Sequence, residues 1–192
     1  MQQIRLTPTS YIVLGLIERA GAATPYELKR AVAVGIGEFW SLQHAQLYSE
    51  PERLARSGYL TETREPAGRR RKLYRLTQAG REALGDWLQA PTDLLPELRD
   101  IALLKIYLGA PRTRLAQAQL AAHQLKLRDY EQLWQKAAEH IPAGPRAALQ
   151  AGIDHERAWV RFWGALTGGE PNAPASGPPP RSDTTCAQPD GL

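Results

Sequence analysis

The segment Tyr59-Leu60-Thr61-Glu62-Thr63-Arg64-Glu65-Pro66-Ala67-Gly68-Arg69-Arg70-Arg71-Lys72-Leu73-Tyr74-Arg75-Leu76 reads as two short strands joined by a turn. Its ends are rich in Thr, Tyr and Leu with partial alternation, and its middle contains Pro and Gly. The predicted result is an antiparallel hairpin with a basic tip. Working upstream, Thr7-Pro8 predicts a helix start, with Val13, Leu16, Ile17 and Ala20 at helical spacing, Ile12 and Leu14 widening the apolar face, and Gly21 at the end. Thr24-Pro25-Tyr26-Glu27 is a capping box for a second helix carrying Leu28, Ala31 and Val32, which Gly35 and Gly37 break. Ser41 is expected to cap a third helix, with Leu42, Ala45, Leu47 and Leu54 as its apolar positions and Gly58 as its stop.

Pro51 falls inside that third helix, where a proline costs about 3 kcal/mol in an ideal interior. Ser49 and Glu52 have the spacing of a second capping box, so a kink or two abutting pieces is expected there. Downstream of the hairpin, Thr77 caps a fourth helix with Ala83, Leu84, Trp87 and Leu88. Residues 93–167 read as helical throughout, broken at Gly109-Ala110-Pro111 and at Pro142-Ala143-Gly144-Pro145. Leu120, His123, Leu127, Tyr130, Trp134, Ala137 and Ile141 alternate steps of three and four, a short heptad seam. Residues 168–192 hold six Pro and four Gly with almost nothing apolar to bury, and read as a disordered tail.

The expected fold is therefore mainly α. Residues 1–90 form a winged helix-turn-helix of three helices plus a two-stranded hairpin, residues 91–167 form an all-helical dimerisation or effector domain, and the tail completes the chain. In that order of elements, helix three is the reader, because a helix fits the major groove of B-DNA. Its start is polar, with Ser41, Gln43, His44 and Gln46, and Tyr48 one turn along. Arg69, Arg70, Arg71 and Lys72 at the hairpin are expected along the phosphate backbone or in a minor groove.

The charge distribution agrees. Residues 1–90 hold 13 Lys and Arg against 9 Asp and Glu, while residues 91–192 hold 11 against 11, so the formal excess of +4 lies in the first half. Between Arg64 and Arg81 seven basic residues face one acid, Glu65, and such a segment usually meets an anion. Double-stranded DNA is the expected partner. The alternative is a winged-helix protein-interaction module whose basic hairpin serves another partner and which has no specific operator. Such a surface would carry more exposed aliphatic residues.

Other classes are not supported. The histidines His44, His123, His140 and His155 lack metal-site spacing, and no nucleophile elbow, phosphate loop or dinucleotide fingerprint is present. No enzyme activity, metal or cofactor is expected. No run of eighteen apolar residues suggests a membrane span, no secretory signal is read at the start, and the lone Cys186 fits a reducing cytoplasm. The Leu120, Leu127, Trp134 and Ile141 edge of the seam is the candidate interface for a homodimer. Trp134, Trp159 and Trp163 read first as core and interface residues. The sharper reading is a pocket for a small aromatic effector. Trp40 is expected in the core of the DNA-binding unit.

Residues 5–110 also resemble the PadR family of winged-helix transcriptional regulators. The resemblance rests on Leu6-Thr7-Pro8, Ile12-Val13-Leu14-Gly15-Leu16, Tyr26-Glu27-Leu28, Trp40, Leu47-Tyr48 followed by Arg53-Leu54, and Gly58-Tyr59-Leu60. It continues through Gly68-Arg69-Arg70-Arg71-Lys72 and Tyr74-Arg75-Leu76-Thr77 with Gly80. The helical second half is similar to the longer members, whose C-terminal helices make the dimer. Pro51 departs from the pattern, since many relatives carry an apolar helix residue there. The resemblance implies a dimeric transcription factor, usually a repressor, on a pseudo-palindromic operator. The best-known relatives respond to phenolic acids or other aromatic compounds.

Overall fold

The computed structural model describes residues 4–64 and 71–168. The tail after residue 168, and with it the reading of disorder, lies outside the described residues, as do Arg69 and Arg70. The chain divides into two units, residues 1–97 and residues 98–192.

The first unit begins with α1 (Pro8–Ala20) and α2 (Pro25–Ala33). Thr7 caps α1 as expected, and Ser10 completes a capping box there that was not expected from the sequence; α2 carries its expected capping box. In α1, Thr7 Oγ1 accepts from Ser10 N while Ser10 Oγ accepts from Thr7 N at 2.8 Å. In α2, Thr24 Oγ1 accepts from Glu27 N, and Glu27 Oε2 accepts from Thr24 N at 2.8 Å. That backbone hydrogen bond, with one from the Thr24 hydroxyl, holds the Glu27 carboxyl below its ordinary pKa. A 3-10 turn (Ile36–Glu38) leads toward α3 (Gln46–Arg56), and β1 (Leu60–Arg64), β2 (Lys72–Leu76) and α4 (Gln78–Gln89) follow.

The strands pair antiparallel, with Leu60 opposite Leu76, Glu62 opposite Tyr74 and Arg64 opposite Lys72. One pairing was not visible in the sequence. Ala23, just before α2, exchanges both backbone hydrogen bonds with Tyr74 at 3.0 Å each, which ties the entry of α2 to the hairpin. Val13, Leu14, Ile17, Leu28, Leu47, Leu54, Leu60, Tyr74 and Leu84 fill the core between these elements. Tyr11 of α1 stacks on Trp87 of α4, ring centroids 4.5 Å apart.

Several expectations need correction. Ser41 does not cap the third helix. The helix starts at Gln46, after a turn in which Gln46 N and Leu47 N donate to Gln43 O and His44 O. Leu42 is half-buried against the core and holds residues 41–43 out of helical register. Second, Pro51 does not split α3 into two pieces, since the helix runs unbroken to Arg56. Its ring is fully buried, so packing offsets the lost hydrogen bond, and Ser49 Oγ donates to Ala45 O instead of capping a new start. Third, Trp40 is 43% exposed rather than in the core, because Ile36 and Leu42 pack there from the same connection. Ala20 and Ala31, expected on buried stripes, are exposed as well.

The second unit contains α5 (Ile101–Tyr107), α6 (Arg112–Ala137) and α7 (Ala143–Thr167). Asp100 caps α5 by accepting from Ala102 N and Leu103 N. The seam of α6 turns toward α7 of the same chain. His123 Nδ1 lies 2.6 Å from Glu156 Oε2, Tyr130 abuts Gly152, and Glu131 accepts from Arg157 at 2.8 Å. Ala102, Ala116 and Trp163 form the buried centre, with Leu103, Ile106, Leu115, Leu120, Trp159 and Leu166 around it. No helix among the described residues is long and apolar enough to cross a membrane.

Candidate nucleic-acid interface

Ser41, Gln43 and His44 lie in the segment before α3, while Gln46 and Tyr48 occupy its first turn. All five are exposed, Tyr48 by 48%. The Gln46 side chain folds back, its Oε1 accepting from Gln43 N at 3.2 Å, so the two glutamines form one local unit. The arrangement offers amide, imidazole and phenol groups at the N-terminal end of a helix, whose dipole adds partial positive charge, while the backbone N–H groups of Gln46 to Ser49 are already paired to Gln43 O, His44 O and Ala45 O.

What sets the pose of α3 is a polar cluster at its contact with α1. Glu50 Oε1 accepts from Ser10 Oγ and from Arg53 Nη2 at 2.6 Å each, and Glu50 Oε2 accepts from Arg53 Nε at 2.8 Å. Arg53 also donates to Ser10 Oγ and to Arg5 O. The Glu-Arg spacing of three was visible in the sequence, but its partners forty residues away were not. Burial works against ionisation of Glu50. The hydrogen bonds from Arg53 and Ser10 outweigh it and hold the carboxyl below its ordinary value of 4.5.

A depressed folded-state pKa contributes stability that is present above pH 4.5 and lost as pH falls through the lower folded value. Glu50→Gln should therefore cost about 1–2 kcal/mol at pH 7 and flatten the acid limb of the first unit's stability. Urea unfolding at a series of pH values checks this. An acid limb as steep as that of the wild type would assign the effect to other carboxylates.

At the hairpin, Arg64, Arg71 and Arg75 are exposed. Lys72 is not presented in the same way. Its ammonium lies 2.5 Å from Glu52 Oε1 of α3 and 3.5 Å from Glu62 Oε2 of β1. In sequence, Glu52 reads only as a capping-box residue and Glu62 only as part of a strand; neither reads as a partner of Lys72, because the Glu52 pairing spans twenty residues and depends on how the hairpin folds onto α3.

In the second unit the three tryptophans do not line one pocket. Trp163 is fully buried and stacks on Trp159 at 6.1 Å, and Trp159 stacks on His123 at 5.7 Å. Trp134 borders an open cavity of about 260 Å³ with Glu131, Gln135, Gln150, Ile153 and Arg157. Leu120, Leu127, Trp134 and Ile141 are half-buried, Leu120 packs against the buried centre that holds Trp163 of α7, and Trp134 borders a cavity that α7 also lines. Among the described residues no group of three or more His, Cys, Asp or Glu could hold a metal ion.

Comparison with known proteins places this architecture. Residues 13–86 match the transcriptional regulator PadR-like family, and residues 98–164 match the virulence activator alpha C-terminal family. The negative transcriptional regulator PadR of Bacillus subtilis is 31% identical over 133 residues, covering 66% of this chain and 72% of that protein. The crystal structure of Bacillus subtilis PadR in complex with operator DNA superposes with a TM-score of 0.77 at 25% identity, covering 85% of this chain and 98% of that one. The structure of the same regulator with p-coumaric acid has a TM-score of 0.70 at 24% identity, covering 85% and 97%, and shows the shared fold. These relatives are transcriptional regulators, not enzymes. The chain belongs to the PadR-like family of transcriptional regulators and has that family's winged-helix fold.

Proposed function

We propose that this protein is a sequence-specific DNA-binding repressor that acts as a homodimer on a pseudo-palindromic operator. The observation that carries this reading is the exposed set Ser41, Gln43, His44, Gln46 and Tyr48 at the start of α3. Glutamine can pair bidentately with adenine in the major groove, and the other groups suit bases or phosphates. Arg69, Arg70 and Arg71 of the wing supply phosphate contacts. The relative crystallised with operator DNA and the relative named a negative regulator support DNA binding and repression.

Dimerisation is assigned to the half-exposed remainder of Leu120, Leu127, Trp134 and Ile141 on α6, where Leu125 and Leu133 are also exposed. Two symmetric subunits then present their reading helices about 34 Å apart, one turn of DNA. A small aromatic acid is the effector class. The p-coumaric acid complex of the relative supports it, and Trp134 borders a cavity in the second unit.

Binding to tiled duplexes from the region upstream of its own coding sequence tests the reading. Gln43→Ala, His44→Ala and Tyr48→Ala are each expected to weaken the preferred duplex by about 1–3 kcal/mol. Discrimination against scrambled DNA that is unchanged in all three variants would move the reading surface elsewhere. Light scattering should report a dimer, and a monomer at micromolar concentration would sink the symmetric-operator reading.

A further inference from the structure

Lys72 is the last of the four basic residues at the hairpin and looks, in sequence, like another phosphate ligand. Strand periodicity sets it apart. Side chains two residues apart in a strand share a face, so Lys72 lies on the side of β2 that carries buried Tyr74 and Leu76, whereas exposed Arg75 is on the other. The same alternation puts Glu62 on the side of β1 that carries buried Leu60. Glu62 Oε2 also accepts from the Tyr74 hydroxyl at 3.1 Å. The Lys72 ammonium thus lies between a carboxylate of α3, Glu52 at 2.5 Å, and a carboxylate of its own hairpin, Glu62 at 3.5 Å. One positive charge with two negative neighbours has no net attraction to offer a phosphate.

We propose that Lys72 and Glu52 are positioning residues that hold the wing at a set distance from the reading helix, and that Lys72 does not bind DNA phosphate. Glu50 and Arg53 fix α3 to α1, and the Glu52–Lys72 pair fixes the same turn of α3 to β2. The reading helix is therefore referenced to both the helical core and the wing. The hydrogen bond from Lys72 holds the Glu52 carboxyl below its ordinary pKa, and the same bond raises that of Lys72, so the pair stays charged through the neutral range. The inference rests on the DNA-binding reading above.

The test uses the full chain with Lys72→Gln, Glu52→Gln, the double variant, and the exchange Glu52→Lys with Lys72→Glu. Two measurements are made: thermal unfolding, and affinity for the preferred upstream duplex and a scrambled duplex across a salt series. Either single substitution should weaken the preferred duplex about three- to tenfold, as expected for a lost interaction between directly coupled groups. Affinity for scrambled DNA and the slope of log affinity against log salt should not change. The melting-temperature losses should be non-additive in the double variant, and the exchange should recover most of the affinity.

A slope reduced by about 0.9 in Lys72→Gln, the loss of one phosphate contact, with Glu52→Gln binding as well as or better than wild type, would overturn the proposal alone. Additive melting losses would also overturn it. A wild-type chain that treats all duplexes alike overturns the DNA-binding reading, and this proposal falls with it.

Discussion

Trp163→Ala is expected to destabilise the second unit by about 3–5 kcal/mol, the range for emptying a buried tryptophan site. The ring is fully buried and is the only large aromatic in the buried centre that Ala102 of α5 and Ala116 of α6 complete. It stacks on Trp159 and meets Phe162 edge-on at 5.0 Å. The small alanines from two other helices leave the space that the indole fills, so its removal opens a void that neighbouring backbones cannot close. Hydrogen exchange should show protection lost across α5, α6 and α7. Trp163→Phe should cost much less than the lost volume suggests. The indole N–H is buried without an acceptor among the described residues, and removing such a donor recovers about 1–3 kcal/mol of desolvation. A Trp163→Phe loss as large as the removed ring volume alone predicts would show that the N–H is satisfied.

The second large effect is at Gly80. A Cβ built there lies 2.2 Å from the Tyr59 carbonyl oxygen, and that contact is with backbone, which cannot swing away. The same carbonyl accepts from Thr77 N at 3.1 Å and from Thr77 Oγ1 at 3.0 Å, while Thr77 Oγ1 accepts from Gly80 N. The start of α4 is thus docked directly onto the chain entering β1. Gly80→Ala should destabilise the first unit by about 1–3 kcal/mol through overpacking, despite the better helix propensity of alanine. Gly85, on the same helix, has nothing within 4 Å of its Cβ position. Gly85→Ala should instead stabilise by about 0.4–1 kcal/mol. Opposite signs in urea denaturation would establish the close approach, and two stabilised variants would exclude it.

The features legible in the sequence were those set by local chemistry. Thr7-Pro8, Thr24 with Glu27, and Thr77 start α1, α2 and α4 because each supplies its own capping group within three residues. The hairpin followed from two Thr, Tyr and Leu runs about a Pro-Gly turn, and the positive φ of 82° at Gly58 ends the chain's turn out of α3, as glycine there suggested. Local rules misplaced the start of α3. Ser41 is a good cap by type, but Leu42 is held by the core, and no rule of nearest neighbours contains that contact. They also allowed for two helical pieces at Pro51, which instead sits inside one unbroken helix with its ring buried.

The identity of the site residues divides along the same line. Residue type and order pointed to Ser41, Gln43, His44, Gln46 and Tyr48, and the structure leaves all five exposed around the start of α3. A run of four basic residues looked uniform along the chain. Tertiary structure turns Lys72 toward Glu52 and Glu62, and it brings Glu50 and Arg53 to Ser10. It also decided that the α6 seam meets α7 first, since a heptad pattern specifies an apolar stripe but not which helix covers it. Caps, turns and stripes are encoded within a few residues of one another. The direction of a long charged side chain, and the partner of an apolar face, depend on which distant segment arrives beside it.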